Sequence, residues 1–126
     1  MSLRSALGHA RGLGAAKEGA HHWWLQRLTA IALIPLTLWL VASIIGLSGT
    51  GYEEFLFWFG KPINSTLMIL FLGVGFHHAQ LGMQVVYEDY ISSHGTRTAM
   101  TILTKFACYG LATLSIVSIL TIAFKG

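Results

Sequence analysis

The sequence predicts an all-α integral membrane protein with three transmembrane helices, and three observations carry that prediction. Hydrophobic residues make up 54% of the 126-residue chain and charged residues only 10%, a balance too apolar for an ordinary soluble domain. Three long windows hold most of the apolar residues. Leu28 to Leu47 and Ile63 to Tyr87 contain no Lys, Arg, Asp or Glu, and Ala99 to Phe124 contains only Lys105, near enough to its start to snorkel toward headgroups. Each window reaches the length of about 20 apolar residues that a helix needs to span a bilayer. The basic residues are also unevenly placed: Arg4, Arg11, Lys17 and Arg27 precede or open the first window, opposed only by Glu18. The positive-inside rule then puts the N-terminus in the cytoplasm and, after three crossings, the C-terminus in the periplasm.

In chain order, residues 1–20 are small, polar and glycine-rich and read as an irregular cytoplasmic segment. They lack the continuous apolar core of a cleavable signal peptide and so read as mature protein. A basic, acid-poor leader is also a feature of mitochondrial presequences, but this one is short and rich in glycine, which favours a bacterial cytoplasmic (inner) membrane over the mitochondrial one. Residues 21–126 form a single anchor domain, with spans at about 25–47, 63–90 and 98–124. His21-His22-Trp23-Trp24 marks the membrane boundary, where Trp prefers to lie. Pro35 falls inside the first span, and a membrane bundle tolerates such a kink.

The outer loop, 48–62, carries Tyr52, Phe55, Trp58 and Phe59 at helical spacing with Glu53 and Glu54 facing elsewhere, the pattern of a short interfacial helix. Lys61-Pro62 breaks it, and Asn64 or Ser65 is placed to cap the second span. Asn64-Ser65-Thr66 also matches a glycosylation sequon, but capping is the preferred reading of so short a motif. Ile91 to Thr96 is a tight connection between antiparallel helices, after which Arg97 is placed to anchor or to pair with Glu88 or Asp89.

Composition excludes several functions. The basic residues form no patch, so the net charge of +3 does not signal nucleic-acid binding, and the expected surroundings are membrane lipid. The lone Cys108 rules out an intrachain disulfide and reads as a small packing residue. There is no CxxC pair, Walker loop, dinucleotide fingerprint or nucleophile elbow. Chemistry must therefore sit within the membrane, at its edge, or on partner subunits.

Within the second span, histidines stand in an otherwise apolar stretch, which makes them functional candidates by default. At about 100° per residue, Gly75, His78, Gly82, Val86 and Asp89 share one helix face. Glycines one turn to either side of His78 clear a notch in which a planar ligand or a second helix can come close. His78 is the leading candidate for an axial haem ligand, since iron accepts a neutral imidazole. His77 competes with it but points about 100° away. A histidine merely bonded to a neighbouring helix is the plainer alternative. One chain offers one convincing ligand, so a six-coordinate haem takes its second from another subunit.

Asp89-Tyr90 ends the span. A tyrosine hydroxyl there can donate to a quinone carbonyl and a nearby carboxylate can relay protons, against the plainer reading of an aromatic-belt residue beside an ordinary helix-end acid. His21, His22 and Arg27 approach from the same side. Arg suits the haem propionates, and equally a headgroup anchor.

His78-Ala79, Gly82-Met83, Gln84-Val85 and Asp89-Tyr90 in the second of three spans, with Gln26-Arg27-Leu28-Thr29-Ala30 opening the first, resemble the small hydrophobic anchor (D) subunits of succinate dehydrogenase, the succinate:quinone oxidoreductases of complex II. The resemblance covers the chain's whole length and span count. It implies one haem b shared with a second, cytochrome b anchor (C) subunit that supplies the other histidine. It also implies a flavoprotein subunit oxidising succinate and an iron–sulfur subunit passing electrons to ubiquinone. Carried over, His78 ligates haem iron, Arg27 and the preceding His21 contact the propionates, and Tyr90 with Asp89 binds ubiquinone; the notch read from the helix face then has Gly75 and Gly82 packing the haem. No dehydrogenase active site is expected on this chain.

Two rival readings remain at this point: a small proton channel or transporter relaying through His78 and Asp89, and a cofactor-free anchor or assembly protein. Few polar residues line any continuous path, which counts against the first.

Overall fold

The computed structural model describes residues 13–125, with side chains described from Ala20 onward. Among these residues the chain forms four helices: α1 (Leu13–Leu47), α2 (Tyr52–Gly60), α3 (Pro62–Tyr90) and α4 (His94–Lys125). Three stretches are long and apolar enough to cross a membrane: Ala20–Leu47, Pro62–Tyr90 and His94–Lys125. The three-span, all-α architecture is thus as expected. The helix α3 packs against both α1 and α4, while α2 packs across one end, against α3 and α4.

The boundaries depart from expectation in instructive ways. Residues 13–20, read as irregular, are the first turns of α1. Ala15-Ala16-Lys17-Glu18 is a run of good helix formers, and it outweighs the flanking Gly14 and Gly19. Residues 1–12 lie outside the described residues. The helix continues through Pro35 to Leu47, and the chain then turns at Gly49, whose φ of +83° lies in the left-handed region that glycine enters at little cost.

The short helix α2 forms where its aromatic spacing placed it. The Gly51 N–H donates to the Glu54 carboxylate at 3.0 Å, tying down its first turn. Trp58 stacks on Trp39 of α1, ring centroids 5.5 Å apart and planes at 22°, and Phe59 is buried. Tyr52 departs from the packed face and is exposed.

Asn64 and Ser65 do not cap α3. Pro62 takes the first helical position, for which its fixed φ and missing N–H suit it, so Lys61 becomes the N-cap. The two polar side chains reach back instead: Asn64 Nδ2 donates to the Trp58 carbonyl at 3.0 Å and the Ser65 hydroxyl donates to that of Phe59. They join the Lys61 N–H on the Trp58 carbonyl and satisfy that of Phe59, tying the end of α2 to α3. At the other end the connection is shorter than expected, residues 91–93 alone, because α4 already begins at His94. Arg97 pairs with neither Glu88 nor Asp89; its guanidinium donates to the Ser92 carbonyl at 3.5 Å, fastening the turn.

Candidate functional site

The helix α3 presents its two adjacent histidines to different neighbours. His78 turns toward α1. Its Nδ1 lies 2.9 Å from the hydroxyl oxygen of Thr29, a buried residue. The same oxygen is 2.7 Å from the Leu25 carbonyl and 3.0 Å from that of Gln26. His78 also lines an open cleft of about 410 Å³ otherwise walled by Ala30, Leu33, Ile34, Thr37 and Leu38 of α1. An imidazole at the wall of an apolar, outward-facing cleft is the arrangement that admits a large flat hydrophobic group to one ring nitrogen.

His77 turns toward α4. Its ring lies near parallel to that of Tyr109, centroids 6.5 Å apart and planes at 22°. It belongs to a different cleft of about 680 Å³, shared with His21, His22, Gln80, Gln84, Lys105 and Tyr109. Leu25 and Leu81 complete its lining, so polar groups are set there among apolar ones. Gln80, only 1% exposed, donates to Gln84 at 3.2 Å, and Gln84 donates to Glu88 at 3.2 Å, one turn apart each time. The pattern is a polar ladder down one face of α3.

The glycine notch is occupied by the chain's own first helix. A Cβ on Gly75 would meet Leu33 Cδ2 at 3.9 Å, and one on Gly82 would meet Gln26 Nε2 at 3.7 Å. Of the two partners anticipated for the notch, a planar ligand or a second helix, α1 is the one seated there. This close approach brings Thr29 within reach of His78.

Arg27 lies on the same stripe of α1 as Ile34 and Leu38, seven and eleven residues on, and these two line the His78 cleft. Its guanidinium sits 4.8 Å over the Trp23 ring, one turn earlier, where a cation–π contact holds it at the end of that stripe. His21 sits with His22 and His77 in the other cleft, so the structure does not bring it beside His78.

Asp89 and Tyr90 close α3, both exposed, Tyr90 at 84%. Tyr87, which sequence reasoning passed over, is buried and its hydroxyl lies 2.8 Å from that of Thr104 on α4. Thr29 and Gln80 were likewise missed as individual residues. The signal for all three was available: a polar side chain inside an apolar span must find a hydrogen-bond partner. Among the described residues no three His, Cys, Asp or Glu side chains gather as a metal-binding group.

The family model described as succinate dehydrogenase/fumarate reductase transmembrane subunit matches residues 1–112. The chain is 37% identical over 103 residues to the succinate dehydrogenase hydrophobic membrane anchor subunit of Rickettsia bellii, covering 82% of each chain. It is 40% identical over 96 residues to the protein of the same name from Paracoccus denitrificans, covering 74% of this chain and 71% of that one. Over 85 residues it is 34% identical to the succinate dehydrogenase membrane anchor subunit of Reclinomonas americana, covering 65% of this chain and 69% of the relative.

Proposed function

The chain belongs to the succinate dehydrogenase/fumarate reductase transmembrane subunit family, and we propose that it anchors a succinate dehydrogenase while supplying half of a haem b site and one edge of a ubiquinone site. The observation that supports the haem half is the separation of the two histidines. His78 stands at an apolar cleft open to a partner, and His77 is packed beside Tyr109 in another cleft that also holds His21, His22, Gln80, Gln84 and Lys105.

The residues present fit a haem. His78 has one ring nitrogen engaged by Thr29, leaving the other for iron. The cleft walls are aliphatic, and Arg27 at the end of the same stripe offers a guanidinium to a propionate. In this reading Gly75 and Gly82 pack the site by admitting α1, and His21 supports the propionate end from the neighbouring cleft. Haem, when bound, supplies a one-electron store. A second anchor subunit of cytochrome b type would face the cleft and supply a second histidine to hold the haem, since this chain offers one.

Tyr90 and Asp89 contribute to the ubiquinone site, with the tyrosine hydroxyl donating to a quinone carbonyl and the carboxylate accepting or relaying a proton beside it. Their exposure leaves them free to meet an iron–sulfur subunit, which passes electrons received from a flavoprotein subunit. With Arg27 and the N-terminal basic residues on the cytoplasmic side, this end of the bundle faces the cytoplasm across a bacterial inner membrane. The relatives' names support succinate oxidation as the working direction.

A reduced-minus-oxidised visible spectrum of the complex purified with its partners tests this directly. Bands of a b-type haem are expected, and their absence would leave a cofactor-free anchor.

A further inference from the structure

We propose that Thr29 is the positioning residue that fixes the tautomer and ring orientation of His78, so that Nε2 is the atom presented to the cleft. This rests on the reading of His78 as a haem ligand and goes beyond it, to the residue that makes the imidazole competent.

The inference follows from counting protons. A threonine hydroxyl has one hydrogen to donate and lone pairs to accept with. Thr29 Oγ1 lies 2.7 Å from the Leu25 carbonyl oxygen and 3.0 Å from that of Gln26. An oxygen held that close to a carbonyl without a hydrogen between them would set lone pairs against each other. The hydroxyl proton therefore goes back into the helix, shared between the Leu25 and Gln26 carbonyls. The contact with His78 at 2.9 Å then has only one consistent form: Nδ1 carries the hydrogen and donates it to the Thr29 lone pair. A neutral imidazole protonated at Nδ1 has its free lone pair on Nε2.

The position is stiff from both sides. Thr29 is buried and β-branched, so its χ1 is restricted in a helix, and the bond to its own backbone holds the rotamer further. Helix α1 is held near α3 by the contacts at Gly75 and Gly82, above and below His78. The ring is thus fixed by an element that reaches it only when α1 and α3 are packed. Donation from Nδ1–H also makes Nε2 a stronger electron donor to a metal, which favours the more oxidised state.

The test uses the full complex with its partner subunits, comparing Thr29→Val, which keeps the shape and removes the oxygen, with Thr29→Ser, which keeps the hydroxyl. Haem per assembled complex, haem transfer to an excess of apomyoglobin, the haem midpoint potential and the low-spin EPR signature are read. Thr29→Val is expected to hold haem about 10–100-fold more weakly, the usual loss when a second partner of a metal-bound histidine is removed. Its potential should rise and its EPR signature shift, and Thr29→Ser should restore all of these. Should Thr29→Val fail to assemble, Thr29→Cys, of serine's size but a weak acceptor, carries the same expectation. Unchanged retention and potential in Thr29→Val, or a loss that Thr29→Ser does not rescue, would overturn the proposal. His78→Ala separates the two levels. If that variant keeps the wild-type spectrum, the haem reading itself fails; if it loses the spectrum while Thr29→Val is indistinguishable from wild type, only the role of Thr29 fails.

Discussion

His77 and His78 are neighbours in sequence, yet the two faces of α3 treat them as different residues. On one face α1 supplies a buried hydroxyl, a glycine-admitted close contact and an aliphatic cleft. On the other, α4 supplies Tyr109 and Lys105 to a cleft where amides and imidazoles stand among Leu25 and Leu81. A rotation of about 100° along one helix thus separates a histidine with one nitrogen bonded and one available from a histidine packed against Tyr109. The chemistry of an intramembrane histidine is decided by what the adjoining helix brings to it, more than by its own span.

The largest effect that would break this contrast comes from pushing α1 off its face. Gly82→Ala adds a carbon 3.7 Å from Gln26 Nε2, an ordinary contact, and should leave haem content near wild type. Gly82→Leu drives three more carbons into Gln26; overpacking of that kind costs about 1–3 kcal/mol. Haem per assembled complex should fall clearly for Leu and not for Ala. Equal haem content in both would mean that the α1 contact does not hold the site.

A smaller effect is expected at the end of α3, where Tyr90 and Tyr87 offer a second contrast, exposed against buried. Tyr90→Phe removes a hydroxyl that reaches outward. Losing one such hydrogen bond costs about 0.5–1.5 kcal/mol, so quinone reduction should weaken about two- to tenfold. Succinate oxidation with an artificial dye acceptor should be retained. Wild-type quinone reduction in this variant would leave Tyr90 an interfacial anchor.

Tyr87→Phe should do the opposite. It cuts the hydroxyl pair with Thr104 between α3 and α4. Hydrogen bonds between membrane helices average about 0.6 kcal/mol, so a slight loss of thermal stability in detergent is expected, with the kinetics of quinone reduction unchanged. A selective kinetic defect in Tyr87→Phe would move the quinone contact to the other tyrosine.

The spans were legible because a bilayer demands some 20 apolar residues in a row and little else satisfies it. The short helix α2 was legible because Phe55, Trp58 and Phe59 repeat at the helical period between a turn and Lys61-Pro62. Caps were less so. Asn64 and Ser65 have the chemistry of N-caps, but Pro62 had already begun the helix, and which carbonyls they would meet depended on where α2 ended. The candidate site was legible only within α3. The face shared by Gly75, His78 and Gly82 follows from periodicity, whereas the pairing of Thr29 with His78 depends on how α1 slides along α3, which no single helix encodes. His21 and Arg27 show the same limit. Both approach the same end of the bundle, yet the turn of α1 puts His21 in the cleft of His77 and Arg27 over the Trp23 ring on another face.

The two histidines can be set against each other in one experiment. His77→Ala and His78→Ala complexes, purified with their partner subunits, are compared by reduced-minus-oxidised visible spectra normalised to assembled protein. His78→Ala is expected to lose or strongly alter the b-type bands, because the apolar cleft then has no nitrogen to offer iron. His77→Ala is expected to keep them, since the ring it removes lies beside Tyr109 on the other side of α3. Retained bands in His78→Ala together with lost bands in His77→Ala would contradict the assignment of the haem to the α1 face.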